Sequence, residues 1–378
     1  MTSVSDASKV AADHAESSER ARSLHHEVVA SLTDAGLFRI WVPVAYGGSG
    51  ATIAEGIDAL TEVGRADGAA GWCAMISSTT ALAAYRVRPD WAEKIFADPH
   101  GCYGGYGMPA GTATLVDGGL EVSGQWAWGS GIDHCSWIGG GVHVVDGAGN
   151  RSAASDGATT PFVFFDPADV TLLDTWHVSG LKGTGSTDYS VSKAFVPDGR
   201  WAQFIGGPTH AEGPVSRFSF FGALACGVAS IAIGLGHHAI DELIALGAKL
   251  PSGSSKSLAE RTAVQAELAQ AKGAVAQARS YLLEVADHAW THAAAGPEFH
   301  DDLTVELRLA ASAAVKRSAE AVDLCYHAGG GAAVYNSSPL QRIFRDIHVA
   351  TQHAMVASRT FEPLGRYHFG LPTSLTTL

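Results

Sequence analysis

Charged residues are scarce in this sequence, at 17% of 378 residues, whereas hydrophobic residues make up 46%. This composition excludes a disordered chain and is typical of globular proteins with large buried cores. Lys and Arg together number 25 against 38 Asp and Glu, and the formal net charge is −13. Because phosphate binding depends on clustered Lys and Arg, this balance argues against a nucleic-acid partner. The length predicts two or three packed units.

Cysteine is also sparse, and its spacing excludes two classes of site. The count of five is odd, and no two cysteines stand at CxxC spacing, so neither a disulfide framework nor a thiolate zinc site is expected. Buried thiols in a reducing cytoplasm are the remaining interpretation. The polar N-terminus, Met1–Glu16, does not resemble a secretory signal, and we predict a cytoplasmic protein. The cysteines are Cys73, Cys102, Cys135, Cys226 and Cys325.

Metal-binding motifs are lacking although histidine is frequent. The sequence has 17 His, but none stands in an HExxH or comparable ligand pattern. The adjacent pairs His25–His26 and His237–His238 would point in different directions on a helix, which makes each pair a poor chelator. We therefore predict no metal site.

One uncharged stretch, Phe218–Gly236, is nearly long enough to cross a membrane. It consists largely of Gly, Ala and Ser, and charged and His residues follow it at once. These features favour a buried helix of a bundle over a membrane span, so no membrane association is predicted.

Three regions with different residue patterns follow one another along the chain. Residues 1–100 carry apolar residues at helical spacing, and Thr52 with Glu55 predicts a helix-starting capping box. Residues 101–210 contain short alternating runs separated by Gly and Asp, which predict a compact antiparallel, barrel-like β domain. Residues 211–378 contain four long Ala-rich segments, near 216–248, 257–293, 302–327 and 338–362, which predict a four-helix bundle. The expected fold class is therefore α+β.

The stretch Gly124–Trp137 is the most informative motif. A strand rich in Trp ends in Gly129-Ser130-Gly131, and His134 and another Trp follow. Gly allows a flat ring to approach the backbone, Trp offers an apolar wall, and a Ser hydroxyl can bind a ring nitrogen. These residues could cradle the edge of a flavin. A strand with structural tryptophans and a turn explains them equally well.

A second motif covers Asp174–Asp188 and includes Gly183-Thr184-Gly185. It is not a dinucleotide fingerprint, because the third Gly is missing and a strand rather than a helix follows. Hydroxyls of Thr184 and Ser186 could line a pocket. A tight Gly turn between strands is the alternative.

A third motif joins the last two helical segments. Gly329-Gly330-Gly331 ends one segment, and Ser338 before Pro339 predicts the start of the next. Arg345 and Asp346 then precede His348 and His353. From the local sequence alone, Arg345 and Asp346 are expected to form a structural ion pair.

Together, in this order, the three motifs resemble the acyl-CoA dehydrogenase-like superfamily, and within it the reduced-flavin-dependent, two-component (group D) monooxygenases. The resemblance covers residues 20–365 and implies a helical domain, a β domain and a helix bundle. It implies a homotetramer, because the Gly-rich loop reaches the flavin of a neighbouring subunit in that family. The flavin-binding residues that it implies are Trp128, Gly129, Ser130, Gly131, Thr184, Ser186, Gly329, Gly330 and Gly331.

The resemblance also implies the chemistry. The dehydrogenase carboxylate is missing from 354–360, and Glu362 stands in the wrong context. A monooxygenase of this branch uses O2 and reduced FMN or FAD, which a separate reductase supplies by diffusion. It hydroxylates an aromatic, in particular phenolic, small molecule through a C4a-hydroperoxyflavin. His353 would act as base or hydroperoxide stabiliser, and Ser130 would accept the flavin N5 proton.

Substrate contacts are predicted for His134, Trp72 and Trp176, although a structural histidine and core tryptophans explain the same residues. Three other functions stay open from the sequence. The chain could be an FAD-dependent acyl-CoA dehydrogenase with a base elsewhere, a monooxygenase acting on nitrogen or sulfur, or a non-catalytic relative that serves as an oligomeric scaffold.

Overall fold

The computed structural model describes residues 2–251, 253–296 and 299–375. The chain begins with a layer of helices, and the predicted capping box is present at the start of the third. There the Thr52 hydroxyl accepts from the Glu55 N–H at 3.1 Å, and the Glu55 carboxylate accepts from the Thr52 N–H at 2.8 Å. The helices are α1 (Val4–Ala21), α2 (His26–Asp34), α3 (Ile53–Ala66), α4 (Gly68–Thr80) and α5 (Pro89–Phe96).

A seven-stranded sheet follows. Its strands are β1 (Tyr103–Val116), β2 (Gly119–Gly129), β3 (Trp137–Val145), β4 (Phe162–Phe165), β5 (Val170–Leu173), β6 (Thr187–Pro197) and β7 (Trp201–Ala202). Their order across the sheet is β5-β6-β2-β1-β3-β4-β7. Five of the six pairings are antiparallel, as predicted, but β1 and β3 run parallel, so the sheet is mixed. The parallel pair arises because the turn after β2 returns the chain to the end of the sheet where β1 begins.

The C-terminal helices are α6 (Pro214–Arg217), α7 (Phe220–Ala245), α8 (Thr262–Ala295), α9 (Asp301–Gly329), α10 (Pro339–Ala350) and α11 (Phe361–His368). Helix α7 is long and apolar enough to cross a membrane, but 78% of its most apolar window is buried in the fold, as in the core helix of a bundle. The predicted buried bundle helix is therefore confirmed. Gly234 allows α7 to pack closely against α3, since a Cβ at this position would lie 2.6 Å from the backbone nitrogen of Arg65.

The predicted helix over 338–362 is wrong in its second half. Helix α10 ends at Ala350, and a turn precedes α11. In this turn the Met355 N–H donates to the His353 ring, and the Met355 carbonyl accepts from Arg308. Because both backbone groups of Met355 have partners outside a helix, the helix does not continue, and His353 lies in the turn.

Candidate active site

The end of β2 is distorted at Trp128. The β2–β6 register shifts between Trp126 and Gly129, and Trp128 takes a φ of 60°. A left-handed backbone is rare and costly for a bulky residue, so the surrounding structure must hold it. As a result, 58% of the Trp128 surface is exposed, and its ring is roughly perpendicular to that of Tyr106, with 5.7 Å between centroids. The bulge therefore leaves much of the indole accessible.

Next to this bulge, a line of hydroxyl groups leads into the protein. The oxygens of Ser130 and Ser186 are 2.7 Å apart, and those of Ser186 and Thr184 are 2.6 Å apart. At one end the Thr184 hydroxyl donates to the Leu181 carbonyl at 2.8 Å. At the other end the indole N–H of Trp72 donates to Ser130 at 3.2 Å. Both motifs named from the sequence thus meet in one network.

The two ends fix the direction of every hydrogen bond in this network. A carbonyl can only accept, so the hydroxyl proton of Thr184 is used in the bond to Leu181. Ser186 must therefore donate to Thr184. Ser130 must then donate to Ser186. Since an indole N–H can only donate, the Ser130 oxygen has one lone pair engaged by Trp72 and one left over. Ser130 can therefore accept one further hydrogen bond, as its predicted role requires, and that role stays a prediction.

We expect Ser130→Ala to lower the free energy of unfolding by about 1–2 kcal/mol, because the buried Trp72 N–H loses its acceptor. Urea unfolding monitored by tryptophan fluorescence measures this change. Ser190→Ala is the control: Ser190 lies on β6 and its hydroxyl makes no hydrogen bond in the described part of the chain. Equal losses in both variants would contradict the network.

Helix α10 holds in place the turn of residues 179–184, which carries Thr184. The Leu181 N–H donates to the Asp346 carboxylate at 2.5 Å, and Arg345 donates to the Ser179 carbonyl at 2.6 Å. The predicted ion pair between Arg345 and Asp346 is wrong, because Arg345 pairs with Glu19 at 2.6 Å instead. Each of the two residues binds the turn on its own, so they position Thr184 rather than neutralise one another.

Burial, reinforced by the charge of Asp67, raises the pKa of Asp346 to about 7. A raised carboxyl pKa means that the folded state holds the proton more tightly than the unfolded state. The stability that this group contributes therefore falls as pH rises from 3.8 to about 7. We expect Asp346→Asn to gain stability relative to wild type between about pH 4 and pH 8 in urea unfolding, and a constant difference between the two proteins over this range would contradict the raised pKa.

His353 lies on the other side of Trp72. The two rings meet edge to face, with 5.6 Å between centroids and 73° between planes. Because the Met355 N–H donates to Nδ1 of His353 at 3.3 Å, the neutral ring carries its proton on Nε2. Burial and, second, the charge of Arg308 lower the pKa of His353 to about 4. His353 is therefore a neutral N–H donor at physiological pH.

Other predicted residues lie apart from this group. The His134 ring is enclosed by protein: its Nδ1 is 3.0 Å from Asp133, its ring packs on Phe38, and a Cβ at Gly131 would lie 3.0 Å from its Nε2. This enclosure favours the structural alternative for His134. The Trp176 indole donates to the carbonyls of Leu181 and Lys182, which braces the outer side of the turn.

The glycine loop belongs to a different part of the molecule. Gly329 packs on Leu340 at the end of α9, and Gly330 and Gly331 are exposed. Among the described residues, no contact joins this loop to Ser130 or His353 of the same chain. The predicted role of the loop at a neighbouring subunit stays a prediction.

Comparisons with known proteins identify the family of the chain. The family model for the acyl-CoA dehydrogenase N-terminal domain matches residues 5–88, and the model for the C-terminal domain matches residues 226–358. A pigment production hydroxylase of Rhodococcus sp. is 30% identical over 96% of this chain and 94% of that protein. An indole-3-acetate monooxygenase of Pseudomonas putida is 28% identical over 93% of this chain and 89% of that protein.

The chain belongs to the flavin-dependent monooxygenase branch of the acyl-CoA dehydrogenase-like superfamily. The HsaA monooxygenase from M. tuberculosis has the same fold, with a TM-score of 0.88, 26% identity and coverage of 100% of this chain and 99% of that one. The predicted family and fold class are thus confirmed.

The site of this monooxygenase fits a flavin on two observations. The exposed indole of Trp128 can wall a planar ring, and the spare lone pair of Ser130 can accept a ring N–H beside it. The Ser130 N–H donates to the Trp128 carbonyl at 2.9 Å, so the two groups hold one fixed relation. Trp128, Gly129, Ser130 and Gly131 would hold the ring edge, and Thr184 and Ser186 would support them from behind.

Arg308 contacts the turn of His353, and the sequence analysis did not single it out. It is 3% exposed on α9, and its Nε donates to the Met355 carbonyl at 2.6 Å. The available signal was a lone Arg between apolar residues, in Leu307-Arg308-Leu309. Position in the sequence could not show that this cation reaches the turn of His353.

Two further features of the monooxygenase lie apart from the predicted site residues. A cavity of about 520 Å³, lined by Tyr46, Tyr85 and Trp290 among others, contains none of the predicted site residues. On the surface, His14, His25 and Glu27 bring three ligand atoms within 4.8 Å. The two imidazoles are stacked at 4.0 Å and 4°, so an ion in the plane of one ring lies outside the plane of the other. The stacking argues against chelation.

Proposed function

We propose that this monooxygenase hydroxylates a small phenolic compound with O2 and reduced flavin. The observation that carries the proposal is the position of Trp72, which donates to Ser130 with its N–H and meets His353 with its ring. Trp72 thus contacts both Ser130, which can accept a hydrogen bond from a flavin N–H, and His353, which can donate one to an oxygen atom. The named activities of the relatives support the substrate class, among them a resorcinol hydroxylase of Rhizobium sp. that is 27% identical over 90% of this chain and 86% of that protein.

Ser130 and His353 would have different roles in the reaction. Reduced flavin, when bound, supplies the electrons that activate O2. Ser130 would hold the ring N–H, because its remaining lone pair is the acceptor in the network. His353 would hold an oxygen atom through its Nε2–H. Its tautomer makes Nε2 a donor, so we assign it hydrogen-bond stabilisation rather than the general-base role that the sequence also allowed.

The acyl-CoA dehydrogenase alternative lacks support at this site. The turn between α10 and α11 has no carboxylate before Glu362, and His353 stands at its centre. Proton abstraction from carbon would need a base that the tautomer of His353 does not provide. We therefore do not favour dehydrogenation.

Reduced FAD is the proposed cofactor, with reduced FMN as the second choice. The name of the Rhizobium relative specifies FADH2. The proposal includes a separate reductase that delivers the flavin by diffusion. Homotetramer formation and a cytoplasmic location stay predictions. The exposed side chains of Val334 and Tyr335, at 64% and 68%, support packing of the glycine loop against another copy.

The function is tested by mixing the purified chain with chemically reduced FAD or FMN, a panel of phenols and 18O2. We expect one labelled oxygen atom in the product, formed only when protein, reduced flavin and phenol are all present. Free reduced flavin without protein is the control. Unlabelled product, or oxidised flavin and peroxide alone with every phenol, would overturn the proposal. Reduction of protein-bound FAD by an acyl-CoA would support the dehydrogenase instead.

The rate of product formation should be insensitive to the protonation of His353 between about pH 6 and pH 8. The lowered pKa of about 4 keeps this imidazole neutral across that range and charges it only as pH falls toward 4. An imidazole with an ordinary pKa would instead produce an inflection near about pH 6.5. A profile of kcat/KM for the best phenol measures this, and an inflection that disappears in His353→Gln would contradict the assignment.

A further inference from the structure

Two cysteines lie close together behind the turn that carries Ser130. Their Sγ atoms are 3.9 Å apart. Cys102 directly precedes β1 and Cys135 nearly precedes β3, and these strands run parallel with Tyr103 opposite Trp137. The parallel pairing therefore brings the two thiols together at one end of the sheet. A disulfide bond is about 2.05 Å long, so a modest side-chain movement would join them.

An acid–base pair accompanies the thiols. Nδ1 of His134 is 3.0 Å from the Asp133 carboxylate, and the His134 side chain is 12% exposed. Its Nε2 is buried and makes no hydrogen bond within the described residues. The proposed hydroxylation uses neither group, so the buried ring nitrogen calls for another partner.

Asp133 and Cys102 are the groups that act most strongly on this imidazole. Burial alone would lower the pKa of His134, but Asp133 and Cys102 raise it to about 9. Burial alone would raise the pKa of Cys102, but the neighbouring Cys135 and His134 outweigh it and lower that pKa. A lowered thiol pKa favours the thiolate, which is the reactive form of cysteine.

We propose that Cys102 and Cys135 form an oxidisable dithiol that reacts with hydrogen peroxide. An enzyme that reduces O2 is a local source of this oxidant whenever the oxygen does not reach a substrate. The Cys102 sulfur attacks one peroxide oxygen and the O–O bond breaks. The departing hydroxide takes the proton that the Cys102 thiol gives up, leaving Cys102 sulfenic acid and water. The Cys135 sulfur then attacks the Cys102 sulfur, the S–O bond breaks, and the hydroxide leaves as water with the Cys135 proton.

Oxidation would alter the flavin-binding turn. The Cys135 thiol donates to the Gly131 carbonyl at 3.3 Å. A Cβ at Gly104 would lie 2.8 Å from the Cys135 sulfur and 3.1 Å from the Ser130 carbonyl, so this sulfur packs directly beneath the turn. A disulfide removes the donor and shifts the sulfur. The oxidised protein is therefore expected to bind reduced flavin more weakly.

Burial limits which oxidants can react. Cys102 and Cys135 are 4% and 7% exposed. A bulky aromatic disulfide reagent should fail to reach them in the folded protein, whereas hydrogen peroxide is small. Cys226 and Cys325 provide the comparison, since burial raises the pKa of each to about 12.

The test uses the full chain with reduced thiols, without flavin or substrate. Hydrogen peroxide is added, the reaction is stopped by alkylation in denaturant, and peptides are analysed by mass spectrometry. We expect a disulfide between Cys102 and Cys135, reversed by dithiothreitol, and oxidation of Cys102 at least about tenfold faster than that of Cys226. Cys135→Ser should stop at a sulfenic acid on Cys102 that dimedone traps, and His134→Gln should slow the reaction.

Oxidation of Cys102 no faster than that of Cys226 would overturn the proposal, as would a disulfide of any other pairing. If Cys135→Ser fails to fold, the wild-type pairing decides the outcome alone. Because no flavin or phenol is present, a negative result would leave the proposed hydroxylation standing.

Discussion

His353→Ala should lower the rate of phenol hydroxylation by about 100-fold, the usual cost of removing one hydrogen bond that stabilises a reacting oxygen. The reason is geometric. The Met355 N–H fixes Nδ1 of His353 as an acceptor, so Nε2–H is the only donor that the neutral ring can offer to a bound oxygen atom. Steady-state product formation with saturating reduced flavin measures the loss. Peroxide release per flavin oxidised should rise at the same time, because O2 is still reduced.

His353→Gln distinguishes a donor from a base. The amide nitrogen of Gln occupies the region of the imidazole Nε2 and donates, but it cannot accept a proton at neutral pH. We expect this variant to regain a substantial part of the lost rate. His348→Ala is the control, since His348 lies on the preceding helix α10 and pairs with Asp323 at 2.9 Å. A Gln variant as inactive as Ala would favour general-base catalysis and refute the donor assignment.

Arg308→Leu should destabilise the fold by about 1–3 kcal/mol, the range for leaving a buried hydrogen-bond acceptor without its donor. Burial lowers the pKa of Arg308 to about 10, so the side chain is still a cation at neutral pH. It binds the Met355 carbonyl at 2.6 Å and the Met355 sulfur at 3.1 Å. Leucine leaves the carbonyl without this donor and loosens the turn of His353. Urea unfolding measures the change.

The matched control for Arg308 lies on the same helix. Arg317 is exposed and pairs with Glu320 at 2.8 Å, so Arg317→Leu should cost no more than about 1 kcal/mol. Arg308→Lys keeps the charge but not the two-point geometry, and its stability should fall between wild type and Leu. The pKa of His353 should rise in Arg308→Leu, although burial would keep it below the ordinary value. Similar losses for Arg308→Leu and Arg317→Leu would contradict the structural role of the buried cation.

Local features of the site were predictable, but its long-range contacts were not. The sequence singled out Ser130, Thr184 and Ser186 because Gly-rich turns with hydroxyls stand out in any sequence. Their hydrogen-bonded line depends on the pairing of β2 with β6, where Gly129 lies opposite Thr187. Alternation predicts a strand and its buried face, but it does not identify the neighbouring strand.

The same reason explains the errors. Residues 354–357 favour a helix by composition, and only the contact from Arg308, on a different helix, shows why the chain turns there. The parallel pairing of β1 and β3 follows from the path of the turn after β2, which hydrophobic periodicity does not record. The role of His134 was ambiguous because enclosure by Phe38 and Asp133 is a tertiary property.

Helix α10 restricts how a substrate can enter. It is fastened to the sheet domain through Leu181 and Ser179, and the backbone of Gly180 lies so close that a Cβ there would meet the Arg345 carbonyl at 2.2 Å. The same helix leads directly into the turn of His353. A hinge motion that moved the sheet away from the bundle would therefore break these contacts and separate the turn of His353 from Thr184. A substrate of the proposed reaction would instead reach Trp72 through smaller movements of side chains and loops.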